Sequence, residues 1–84
     1  MQIRELKAKA HKLEPVVIIG AKGLTEEVLA EIERALKAHE LIKVRAPALE
    51  RVARNEVLTQ VCARTGAARV QQVGKVFVIY RKNP

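Results

Sequence analysis

The chain has no aspartate and no tryptophan, a single cysteine, and two aromatic rings, Phe77 and Tyr80. Each scarcity removes a class of function. Without aspartate there is no Asp to hold magnesium beside a nucleotide. The segment Gly20-Ala21-Lys22-Gly23 also lacks the eight-residue spacing of a Walker loop and the third glycine of a dinucleotide fingerprint. Cys62 has no partner for an internal disulfide, and with only His11 and His39 as imidazole donors a structural zinc site of the usual spacing is excluded. His39 suits the C-terminal end of a helix dipole better than it suits catalysis. No apolar run approaches the roughly 18 residues of a membrane span, and the N-terminus lacks a signal-peptide apolar region. The expectation is a cytoplasmic protein, not an enzyme, with no catalytic residues, cofactor or metal.

What is abundant is positive charge. Sixteen Lys and Arg stand against nine acids, all glutamate, in 84 residues, for a net charge of +7 and an isoelectric point near 10.1. That balance suits a nucleic-acid-binding domain. The charge is segregated. Residues 25–40 carry five acids and two bases, net −3, so the remaining residues carry 14 bases against 4 acids, net +10. The basic surface must therefore lie away from that segment.

Apolar spacing divides the chain into seven elements. Ile3, Leu6, Ala10 and Leu13 predict a helix over 2–13, ended by Pro15, with Arg4, Lys7 and His11 as a basic row along its flank. The β-branched run Val16–Ile19 predicts a short buried strand. Val28, Leu29, Ile32, Ala35 and Leu36 then share one face of a helix over about 25–38, with Thr25 as N-cap and a Glu-rich opposite face. Leu41–Arg45 reads as a strand on which Lys43 and Arg45 share a face, and a third helix follows over about 49–65, closed by Gly66. Cys62 groups there with Val57, Leu58 and Val61 as core. Residues 69–73 and 75–80, separated by Gly74, read as an antiparallel pair whose last strand is apolar on both faces and hence central. The fold class is α/β, of order αβαβαββ, a two-layer sandwich forming one domain over 1–84, with a frayed basic tail at 81–84.

Between the first strand and the second helix lies the segment with the clearest chemistry. Gly20 and Gly23 allow a sharp turn and a close approach of backbone to ligand, the following helix begins with unpaired N–H groups and a positive dipole end, and Lys22 adds a cation. An anion is the natural guest, and phosphate is the anion that the charge balance suggests. Arg51 and Arg54, three apart at the start of the third helix, are further candidates for contact with nucleic acid. Two rings on opposite faces of one strand do not make an extended base-stacking platform, so shape and phosphate contacts should dominate over base reading.

The blocks Ala10–Thr25, Glu40–Val44 and Gly74–Arg81, in that order, resemble the bacterial single-domain CRM proteins of the YhbY type over essentially the whole chain. The resemblance implies an RNA-binding module with a four-stranded mixed sheet, similar to the C-terminal domain of translation initiation factor three. It further implies ribosomal RNA of large-subunit precursors as partner, with ribosomal proteins as additional neighbours in the particle. By position, the family's loop falls on Gly20, Ala21, Lys22 and Gly23, its basic helix positions on Lys7 and His11, and its closing basic position on Arg81. The block Ala46-Pro47-Ala48-Leu49 departs from the pattern in being apolar. A competing reading is a basic interaction module docking on acidic ribosomal or membrane partners. The apolar stripe of the first helix is too small to serve both a core and a bilayer, and tryptophan is absent, so no membrane partner is expected. The protein is expected to act as a monomer.

Overall fold

The computed structural model describes residues 3–84, the side chain of Ile3 excepted. Its elements are α1 (Ile3–Ala10), β1 (Pro15–Ile18), α2 (Glu26–His39), β2 (Leu41–Arg45), α3 (Arg51–Thr65), β3 (Ala68–Val73) and β4 (Val76–Tyr80). The strands form one mixed sheet in the order β1-β2-β4-β3, with β1 parallel to β2 and the other neighbours antiparallel. The order αβαβαββ and the four-stranded mixed sheet are those predicted, and β4, apolar on both faces, lies inside the sheet.

Alternation along the strands assigns each side chain to one of two cores. Val17, Ile42, Val44, Phe77 and Ile79 point to one face, where Ile32 and Leu36 of α2 and Leu58 and Val61 of α3 close over them. Leu41 and Val78 point to the other, under Leu6 and Ala10 of α1, with Val70 and Tyr80 beside them. Helix α1 therefore adds a partial layer on the second face, which the two-layer description did not include. Eight residues cannot cover that face, and Val16, Ile18 and Val73 stay 48%, 61% and 62% exposed. The run Val16–Ile19 is accordingly a half-buried edge strand and not the buried strand predicted, because only Val17 and Ile19 meet the main core.

Local signals account for most element ends. Thr25 caps α2, its Oγ1 accepting from Val28 N–H at 3.2 Å. Gly66, at φ 76, ends α3 in the left-handed conformation, its N–H donating to Cys62 O at 3.0 Å. Cys62 packs against the core as predicted, and burial pushes its thiol above the ordinary 9.0, with Arg69 opposing the shift. Helix α1 stops three residues short of its apolar pattern. The Lys12 and Leu13 N–H groups donate to the carbonyls three residues earlier, Lys9 and Ala10, and this tightened turn leads the chain toward Pro15 with Leu13 exposed. Of the predicted stripe, Leu6 and Ala10 are buried, and the side chain of Ile3 lies outside the described residues.

The C-terminal segment is docked and not frayed. Arg81 N–H donates to Glu40 O at 2.9 Å, and Asn83 N–H to Glu40 Oε2 at 2.9 Å. Asn83 Nδ2 donates to Lys37 O at 2.8 Å, satisfying a carbonyl at the open end of α2. Glu40, at φ 62, is the non-glycine residue held at positive φ among those described, and these bonds hold it there.

Candidate nucleic-acid interface

The Gly20–Gly23 segment forms a closed turn in which Gly23 N–H donates to Gly20 O at 3.0 Å. The Gly23 donor is thus used internally, and the turn instead presents the N–H groups of Ala21 and Lys22, which have no hydrogen-bond partner among the described residues. Gly23 sits at φ +74, with 4.0 Å between an ideal Cβ and Val57 Cγ2 of α3, whereas Gly20 has open space around its missing Cβ. Gly20, Ala21 and Lys22 are exposed along a shallow depression of about 610 Å³ that continues past Thr25 to Glu26, Glu27 and Val28.

Those two glutamates change the chemistry expected of the helix end. Thr25 satisfies one N-terminal donor, and the Glu26 and Glu27 carboxylates supply the negative charge that the dipole favours. A phosphate is therefore repelled on the helix side of the depression and drawn to the turn side, where Lys22 and the Ala21 and Lys22 N–H groups lie. Glu26 is also tied to Arg64 of α3 at 3.2 Å.

Lys7 and His11 face a second, smaller cavity of about 260 Å³ on the α1 side of the sheet. It is lined with Ala10, Lys43, Gln71, Val73, Val76 and Val78 and contains no carboxylate. The turn and the α1 row thus occupy separate depressions. Strand β2 lies between them, and Lys43 projects from β2 into the α1 cavity. The same lysine also lines a larger groove, about 590 Å³, between α1 and the β1–β2 side, where Lys9 and Lys12 lie. Sequence reading gave Lys43 no role. The available signal was its alternation with the apolar Ile42 and Val44, but what that face met depended on where α1 packed.

The remaining predicted residues are placed differently. Arg51 is exposed in the first turn of α3. Arg54 turns back, its Nη1 donating to Leu49 O at 2.6 Å while its Nε is buried without a partner. It supports the loop whose apolar residues Ala46 and Leu49 join the core, which explains the unusual composition of that block. Arg81 lies at the other end of the sheet from the turn, beyond the Tyr80–Leu41 pair. Its Nη1 donates to Glu33 Oε1 at 2.9 Å and to Thr65 O at 2.9 Å. Only a fifth of the Arg81 side chain is exposed, so it ties β4 to α2 and α3. Neither Arg54 nor Arg81 is brought together with Lys7, His11 and Lys22.

An α/β domain with a basic surface and an exposed two-glycine turn has the chemistry that suits the nucleic-acid-binding class of protein. Residues 1–81 match the CRS1/YhbY (CRM) domain family, and the chain belongs to that family. It is 48% identical over 83 residues to a "Probable RNA-binding protein" of Pseudomonas aeruginosa, covering 99% of this chain and 80% of that one. It is 49% identical over 76 residues to an "RNA-binding protein" of Haemophilus influenzae, covering 90% and 77% of the two chains. The solution structure of a hypothetical protein from Staphylococcus aureus superposes with a TM-score of 0.86 at 31% identity, covering 99% of this chain and 86% of that one.

Proposed function

We propose that the protein binds RNA, with ribosomal RNA of large-subunit precursors as its target, through the Gly20–Gly23 turn and the Lys7 and His11 row. Membership of the CRM family and the RNA-binding names of its relatives support the class of ligand. The observation that carries the choice of site is the turn itself, an exposed loop whose Ala21 and Lys22 N–H groups have no hydrogen-bond partner among the described residues, with the Lys22 side chain exposed beside them. Backbone donors and cations at that point fix a phosphate without reading a base, so binding is tolerant of sequence. The domain acts by holding a structured RNA segment through its backbone while the particle assembles. Arg51 extends this surface at the start of α3, whereas Arg54 and Arg81 contribute through the fold.

The test is the double variant Lys7→Glu/Lys22→Glu against a structured ribosomal RNA fragment. Both residues are exposed, so the fold is retained and affinity falls by roughly tenfold or more as two phosphate contacts become repulsive. Unchanged affinity in a folded double variant would remove this site.

A further inference from the structure

We propose that Lys43 and Arg45 of β2 bind RNA phosphates and join the Gly20–Gly23 turn to the α1 basic row as one continuous track. The proposal rests on the RNA-binding reading given above and assigns it two residues outside the predicted site.

Strand register supplies the geometry. Ile18, Arg45 and Val76 form one rung across β1, β2 and β4. Just beyond it, Ile19 N–H donates to Arg45 O at 2.7 Å and Ala46 N–H donates to Lys75 O at 2.8 Å. Arg45 therefore stands at the sheet end from which the glycine turn departs, one strand from it, a separation of roughly 4.8 Å between neighbouring backbones. Lys43 is two residues back along β2 on the same face, roughly 6.6 Å away. It projects into the cavity that holds Lys7 and His11. The resulting path runs from Lys22 past Arg45 and Lys43 to His11 and Lys7.

Charge and exposure agree with that path. Arg45 is exposed and Lys43 half-buried, and although Lys43 shares its larger groove with Glu14 and Glu40, it is ion-paired with neither. Among the described residues, none of Lys7, His11, Lys22, Lys43 or Arg45 is paired with a carboxylate, while Arg64 and Arg81 are. The cavity at the α1 end of the path contains no carboxylate. A row of unpaired cations that runs along a strand and continues beside α1 is suited to a polyanion of extended backbone, and the acids at the N-terminus of α2 keep that backbone on the β2 side of the turn.

The experiment compares Lys43→Gln/Arg45→Gln with Lys22→Glu on the same ribosomal RNA fragment, measuring affinity across a salt series. The track predicts that both variants weaken binding. For the β2 pair it predicts a loss of roughly tenfold at low salt and a salt slope shallower by about 1.5, the contribution of two phosphates. Arg45→Gln alone, at an exposed position, gives part of the loss and serves as the readout if the pair disturbs the sheet. A weakened Lys22→Glu with an unaffected β2 variant overturns the track and leaves the turn as the site. Loss in the β2 variant with no effect at Lys22 overturns it as well, because the track then does not reach the turn. If neither variant changes binding, the track and the reading beneath it both fail.

Discussion

Gly23 is held at φ +74, a conformation that a side chain adopts at a cost in backbone strain, whereas Gly20 lies outside that region and has open space where a Cβ would stand. This separates structure from binding at single-residue resolution. Gly23→Ala should lower stability by about 1 kcal/mol, visible as a fall of several degrees in Tm. Gly20→Ala should leave Tm unchanged and still weaken RNA binding severalfold, since its methyl group stands only in a ligand's way. A Gly20→Ala variant with wild-type affinity would contradict close backbone approach at that residue. The sequence made the turn visible through its paired glycines and lysine, but the pairing of Gly23 N–H with Gly20 O was not legible, because glycine spacing does not specify which donors a turn uses on itself. The same limit applied at α2. The spacing puts Glu26 and Glu27 at the start of a Glu-rich helix, and only their position along the turn's depression sets their charge against a phosphate approaching the helix end.

Among the elements, apolar patterning located α2, β2, α3 and β4 to within about two residues, the helices through buried positions spaced for one face and the strands through apolar positions on both faces. It failed where the burial was partial. Helix α1 ends early because a turn is needed to reach the edge of the sheet, and β1 is half exposed because α1 is too short to cover it. The C-terminal segment was the larger difference. Its few polar residues gave no periodic signal, and its order comes from long-range bonds to Glu33, Glu40, Lys37 and Thr65. Arg81 joins three elements there, so Arg81→Gln should destabilise the fold by about 1–2 kcal/mol, toward the low end for hydrogen bonds to a charged group because the Arg81–Glu33 pair is partly exposed. Its RNA affinity and salt slope should match those of wild type once the protein is folded. Thermal unfolding with a parallel binding titration checks both. A variant of unchanged Tm that binds RNA poorly would return Arg81 to the interface.

Over the whole molecule, charge and fold have the same polarity. The acidic residues of the 25–40 segment lie on and around α2, whereas Lys22 lies on the turn, Lys43 and Arg45 on β2, and Lys7 and His11 on and just after α1. Helices α2 and α3 fill one face of the sheet, while the single short α1 leaves basic and apolar positions open on the other. The net charge of +7 is therefore available chiefly to a ligand that approaches from the turn and the α1 side. The sequence revealed the segregation of charge, but not that the two groups of predicted bases sit in separate depressions divided by β2, since only the strand order and the placement of α1 determine that.

The most direct test of the central claim, that phosphate contacts at the glycine turn hold RNA, is the salt dependence of affinity for wild type and Lys22→Glu, with a structured ribosomal RNA fragment and a duplex DNA of equal length. The account predicts a steep fall in wild-type affinity with salt, a slope shallower by about 1 in Lys22→Glu, and preference for RNA over DNA. Binding that is indifferent to salt and to Lys22 would contradict it.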